Sequence, residues 1–189
     1  MYEEIKLFDK WDFSEVEVND LGLQRYISLQ PVFFPHSGGR NQVQRFKKAE
    51  MSIVERFTNK LMKKGKNAGK KQRAINIVRM AFDIIYERTG VNPIQILVDA
   101  ISNVAPREET TRLTYGGVAQ HIAVDISPLR RVDLALRYMS NAIKQKSFNN
   151  VKSVEEVTAE ELILASKGDQ GSNAVKKRQE IERIALSAR

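Results

Sequence analysis

The chain has 189 residues and a mass of 21.6 kDa, enough for one good core plus an appendage rather than two full domains. Lys and Arg number 31 against 23 Asp and Glu, a formal charge of +8 with an isoelectric point near 9.7, which directs attention to a polyanionic partner, nucleic acid or an anionic membrane surface. The absence of Cys excludes disulfides, thiolate zinc sites and cysteine nucleophiles together.

His36 and His121 lie far apart, and neither has a second His or a carboxylate at ligand spacing, so no metal site is expected. No Walker loop, GxGxxG, GxSxG or HExxH pattern occurs, and neither an enzyme nor a cofactor is expected. The apolar runs are short and broken by charge, and the acidic start Met1-Tyr2-Glu3-Glu4 does not read as a signal or transit peptide. The expectation is a soluble, intracellular protein with no segment that spans a membrane.

Residues 1–40 read as an extended arm with short strands, its first half crowded with Glu3, Glu4, Asp9, Asp12, Glu15, Glu17 and Asp20. Trp11, Phe13, Phe33 and Phe34 are too many aromatics for a disordered tail, so the arm should pack on its own body or on a partner. After Ser37-Gly38-Gly39 the sign of charge flips through Arg40, Arg45, Lys47 and Lys48, where a second region, residues 41–189, begins.

From Ala49 to Lys63, Ile53, Val54, Phe57 and Leu61 recur at helical spacing. Lys63, Lys64, Lys66, Lys70 and Lys71 follow among glycines, either as a solvated connector or as a phosphate-contacting loop. A second helix is predicted from Gln72 to Arg88 with Ala74, Val78, Ala81 and Ile85 inward, stopped by Thr89-Gly90. Asn92-Pro93 gives a cap-plus-proline start to a third, over Ile94 to Val104, closed by Pro106. Short connectors make these three helices neighbours in the core.

Between Pro106 and Arg131 the hydrophobic period changes from helical to alternating. Gly116-Gly117 between such runs predicts an antiparallel hairpin over 108–126, with Tyr115 facing Val118, Leu113 facing Gln120 and Thr111 facing Ile122 on a mostly apolar side. On the other side Arg112 stands across from His121, two donor-rich groups that suit either an anion between them or plain water.

Ser127-Pro128 then starts a helix whose first turn carries Arg130 and Arg131, against the dipole preference for acids. A phosphate backbone or a neighbouring acidic loop would offset that. Val132, Leu136, Met139 and Ile143 are expected inward, and Arg130, Leu134, Arg137 and Asn141 outward. A capping box from Ser153 to Glu156 opens the next helix, with Thr158 as a second possible start. The last begins near Ala174 with Lys176, Lys177 and Arg178 in its first turns and Ile181, Ile184 and Ala188 as its stripe. The fold class is therefore mainly α: a bundle of about six helices with a protruding two-stranded antiparallel hairpin and an extended N-terminal arm.

The stretches VERFTNKLMKKGKNAGKK, NPIQILVDAISNVAPREETTRLTYGGVAQHIAVDISPLRRVDLALRYM and NAVKKRQEIERIA, in this order and spacing, closely resemble the universal small-subunit ribosomal protein seven family. The acidic, aromatic arm resembles its archaeal and eukaryotic type, where bacterial members have a basic tail. The resemblance implies binding to the 3′ major domain of small-subunit ribosomal RNA, nucleation of head assembly, and a hairpin near the exit-site tRNA and the mRNA path. It implies neighbouring small-subunit ribosomal proteins as further partners and a monomer off the ribosome. Carried over by motif, the RNA-contacting positions are Lys47, Lys48, Lys63, Lys64, Lys66, Lys70, Lys71, Arg107, Arg112, His121, Arg130, Arg131, Arg137, Lys176, Lys177 and Arg178. For the arm before Gly38, a protein partner is the better expectation. A helical DNA-binding regulator, reading through the helix after Pro128, is the alternative. Arg130 and Arg131 are both expected outside the core, so that replacing the pair would spare stability.

Overall fold

The computed structural model describes residues 5–62 and 65–189; Lys63 and Lys64, part of the predicted lysine loop, fall outside them. Six helices of two or more turns form the body: α2 (Ile53–Leu61), α3 (Lys71–Thr89), α4 (Pro93–Val104), α5 (Pro128–Ser147), α6 (Val154–Ser166) and α7 (Asn173–Ser187). A single-turn helix α1 (Leu21–Gln24) precedes them, and strands β1 (Glu108–Tyr115) and β2 (Val118–Asp125) project between α4 and α5.

The helix ends are set by local chemistry. Gly90, at φ +68°, closes α3 by donating its N–H to the Tyr86 carbonyl at 2.8 Å. Asn92 caps α4 by accepting the Ile94 N–H at 3.1 Å, with Pro93 next to it. Ser153, not Thr158, starts α6: its hydroxyl accepts the Glu156 N–H, while Thr158 lies buried with its hydroxyl on the Val154 carbonyl. Ser127 occupies the cap of α5, yet no N–H reaches its side chain.

The core gathers Phe57, Phe82, Ile85, Leu97, Ile101, Leu136, Met139 and Leu162, all fully buried. Helix α6 is central, lying against both α3 and α4 through Val157, Ala159, Leu162 and Ala165, whose two alanines allow close approach. Two expected faces shift. Leu134 points inward on α5, which packs on α2, α4, α6 and α7 and is covered around more of its circumference than one stripe requires. On α7 the buried residues are Ala174, Val175 and Ala185, while Ile184 is exposed. The start of α7 is pinned by the buried Glu161 carboxylate, which accepts the Ser172 hydroxyl at 2.6 Å and the Ala174 N–H at 3.1 Å. From there the helix runs out beside the hairpin, leaving Ile184 uncovered.

The arm is not strand-like. Leu7 and Trp11 close a tight turn through Phe8 and Asp9 at positive φ, and the remaining strand-type pairing is a one-residue bridge, Ser28 to Ser52. Leu7, Trp11, Phe13, Val16, Leu23 and Ile27 enter the common core. Polar staples reinforce them: Asn92 donates to the Asp12 carbonyl at 2.8 Å, Gln95 accepts the Glu17 N–H at 2.9 Å, and Lys10 pairs with Asp83 at 2.8 Å. Of the two surfaces open to the arm, its own body takes most of the aromatics, and Phe33 and Phe34 stay exposed.

Candidate nucleic-acid interface

The hairpin has the expected register, with Tyr115 opposite Val118, Thr111 opposite Ile122 and Arg112 opposite His121. Gly116 and Gly117 make the turn at φ +57° and +85°, as a two-residue connection that follows the strand twist demands. Beyond its foot, where α7 lies against both strands, the ribbon is open: Leu113, Val118 and Ile122 are exposed, as are Arg112 and His121. Its position is fixed at the foot instead. Glu109 takes both Nε and Nη2 of Arg130 at 2.6 and 3.0 Å, Arg189 pairs with Glu108, and Glu182 of α7 accepts the Arg107 N–H at 3.0 Å.

Arg130 is thus matched by a neighbouring acid, and the forked bond to Glu109 raises its pKa. Arg131 departs further from expectation. Its side chain is only 12% exposed, its Nη2 meets Asp20 of the arm at 2.9 Å and its Nε donates to the Pro106 carbonyl at 3.2 Å. The placement of both guanidinium groups outside the core therefore fails for Arg131, which bridges arm, hairpin foot and α5. Asp20 of the arm attracts it inward.

Further cations are engaged at the arm side. Asp133 of α5 holds Lys48 and, at 3.2 Å, the buried Arg56, whose Nη1 also donates to the Tyr26 carbonyl at 2.8 Å. Burial pushes the Asp133 carboxyl up, but the bond from Lys48 and the charges of Arg56 and Lys48 outweigh it and leave the pKa below its ordinary value. Glu55 behaves alike: burial raises it, and Lys71 at 2.6 Å with the Ser37 N–H and hydroxyl brings it below the usual range. Arg178 donates to the Asn103 carbonyl at 2.8 Å and lies 3.5 Å from Glu182, and Lys177 pairs with Glu180 at 2.8 Å.

The predicted positions consequently divide. Lys48, Lys71, Arg130, Arg131, Lys177 and Arg178 have acidic partners within the chain. Lys47, Lys70, Arg107, Arg112, His121, Arg137 and Lys176 have side chains without an ion pair among the described residues, and all but the half-exposed Lys47 are open to solvent. Lys63 and Lys64 lie outside the described residues, as does the side chain of Lys66. These open positions are carried by the hairpin and its foot (Arg107, Arg112, His121), by α5 (Arg137) and by α7 (Lys176), and α7 packs against both the hairpin and α5.

Sequence inspection missed further exposed cations, among them Arg73 and Arg79 on α3 and Lys144 on α5, and these three are not ion-paired among the described residues. The signal was present for the first two, which stand opposite the Ala74, Val78 and Ala81 stripe. No cluster of three potential metal ligands occurs among the described residues, and no helix is long and apolar enough to cross a membrane.

A helical body with a projecting ribbon, and with open cations on the ribbon, α3, α5 and α7, is the architecture of a polyanion-binding protein. A family model described as ribosomal protein S7p/S5e matches residues 23–189, and the chain belongs to that family. It is 50% identical over 182 residues to the small ribosomal subunit protein uS7 of Methanothermobacter thermautotrophicus, covering 96% of this chain and 98% of the relative. The uS7 of Methanosphaera stadtmanae is 50% identical over 183 residues, 97% of this chain and 98% of the relative. The family resemblance and its archaeal type are thereby confirmed.

Proposed function

We propose that the chain is a structural, non-catalytic constituent of the cytoplasmic small ribosomal subunit. It binds the 3′ major domain of ribosomal RNA, nucleates assembly of the head beside neighbouring ribosomal proteins, and extends its hairpin toward the exit-site tRNA and the mRNA path. The observation that carries this is the open set Arg107, Arg112, His121, Arg137 and Lys176 along hairpin, α5 and α7, set against acids already occupied at the hairpin foot. Cations that the protein itself does not neutralise are free to displace counterions from phosphates. An apolar ribbon without a protein face to cover it suits a shallow RNA groove or an unstacked strand.

The direct test is binding to a 3′ major domain fragment as salt is varied. Contact with six to ten phosphates would lower affinity by about 10³- to 10⁵-fold between 50 and 200 mM salt, and a flat response would sink the proposal. A helical DNA-binding regulator is disfavoured because α5 follows a hairpin rather than a helix, and because Val132, Leu136 and Met139 are buried. Duplex DNA at equal salt serves as the competitor that separates the two.

A further inference from the structure

Helix α5 bears a groove, walled by α7 along its first part only, that none of the sequence motifs predicts. Its two parts, of about 400 and 500 Å³, share the side chains of Asn141 and Gln145. Tyr138 lines the first part and Phe148 the second, so one stripe of α5 reads aromatic, amide, amide, aromatic at spacings of three, four and three residues. Phe148 is 81% exposed at the C-cap of α5, where it fills no place in the core. Lys144 lines the part that holds the ring and Lys176 the part shared with α7, both exposed and without an ion pair among the described residues. Glu180, the one acid lining the groove among the described residues, is held by Lys177 at 2.8 Å.

An uncovered ring, two side-chain amides and two free ammonium groups are the parts that recognise a splayed nucleotide. The ring stacks on a base, each amide both donates and accepts along a base edge, and a lysine meets the phosphate. A protein segment would meet the exposed ring equally well, but two unpaired lysines with no free acid favour an anionic occupant. We propose that the α5–α7 groove seats one unpaired nucleotide of the bound RNA, its base stacked on Phe148 and its edge read by Asn141 and Gln145. This rests on the RNA-binding function above and specifies which kind of RNA element that surface selects.

The test compares binding of the full chain to an RNA stem carrying a single bulged 2-aminopurine with binding to the same stem fully paired. The expected result is preference for the bulged stem on the order of tenfold, the size of one base–aromatic stack, with fluorescence quenching on binding. Phe148→Ala should remove preference and quenching while the paired stem binds as before, and Phe148→Trp should retain both. Lys176→Ala should weaken both RNAs alike. Equal binding of the two stems by the native chain, or undiminished preference in Phe148→Ala, would overturn the assignment and leave the ring to a protein partner. Failure to bind either stem with salt dependence would instead count against the RNA-binding function itself, so the two failures are distinct.

Discussion

The two halves of α5 put the same residue types to opposite uses. In its first turns Arg131 is paired with Asp20, and Asp133 holds Lys48 and the buried Arg56. Further along, Arg137 and Lys144 stand in solvent with no acid to hold them among the described residues. Neighbouring cations in one sequence motif can therefore differ in kind. A charge census locates a polyanion surface only after the internally matched arginines and lysines are set aside.

The strongest way to break this contrast is at Arg56, whose side chain is 5% exposed. Arg56→Ala should cost about 3 kcal/mol, the low end for breaking a buried pair because Lys48 still faces Asp133. Denaturant unfolding would show it as a lower midpoint with little change in slope. Arg131→Ala comes next, at about 2 kcal/mol, since it removes the donor from Asp20 Oδ2 and from the Pro106 carbonyl. Its melting temperature should fall by roughly 4–8 °C, and an unchanged value would refute the structural role assigned to Arg131.

Acid should act on the paired carboxylates. Asp133 and Glu55 have folded-state pKa values below their ordinary 3.8 and 4.5, so their stabilisation is complete above those values and fades as pH falls through the lower folded ones. A titration of unfolding free energy should therefore decline below about pH 4.5, and Asp133→Asn should flatten the decline. Arg130→Ala is the adjacent control: its side chain is 54% exposed, so solvent screening limits the loss to about 0.5 kcal/mol. Smallest in stability are Arg112→Ala and Arg137→Ala, which should leave melting unchanged while lowering the salt dependence of RNA binding by about one counterion each.

Much of the architecture was legible because it is written in local rules. Gly116-Gly117, Asn92-Pro93 and Ser153 with Glu156 each specify backbone geometry within a few residues, and the hairpin register followed from them. What escaped depends on residues distant in the chain. Arg131 meets Asp20 across 111 positions, and the Asp133 cluster joins Lys48 and Arg56 from 85 and 77 positions away. No periodicity announces such pairings, so Arg130 and Arg131 looked equivalent. The burial of Leu134 and the exposure of Ile184 depend similarly on how many helices surround each turn. Phe148 was passed over because a single aromatic beyond a helix end carries no pattern.

The arm's attachments carry a consequence for how the molecule is made. Trp11 and Phe13 emerge early from a translating ribosome, yet the groups that receive them, around Asp83, Asn92 and Gln95, appear some 70 to 80 residues later. At about 5–20 residues per second the newborn segment spends several seconds with its aromatic side chains uncovered. The arm is thus among the last segments to find its place, although it is made well before the helices that receive it.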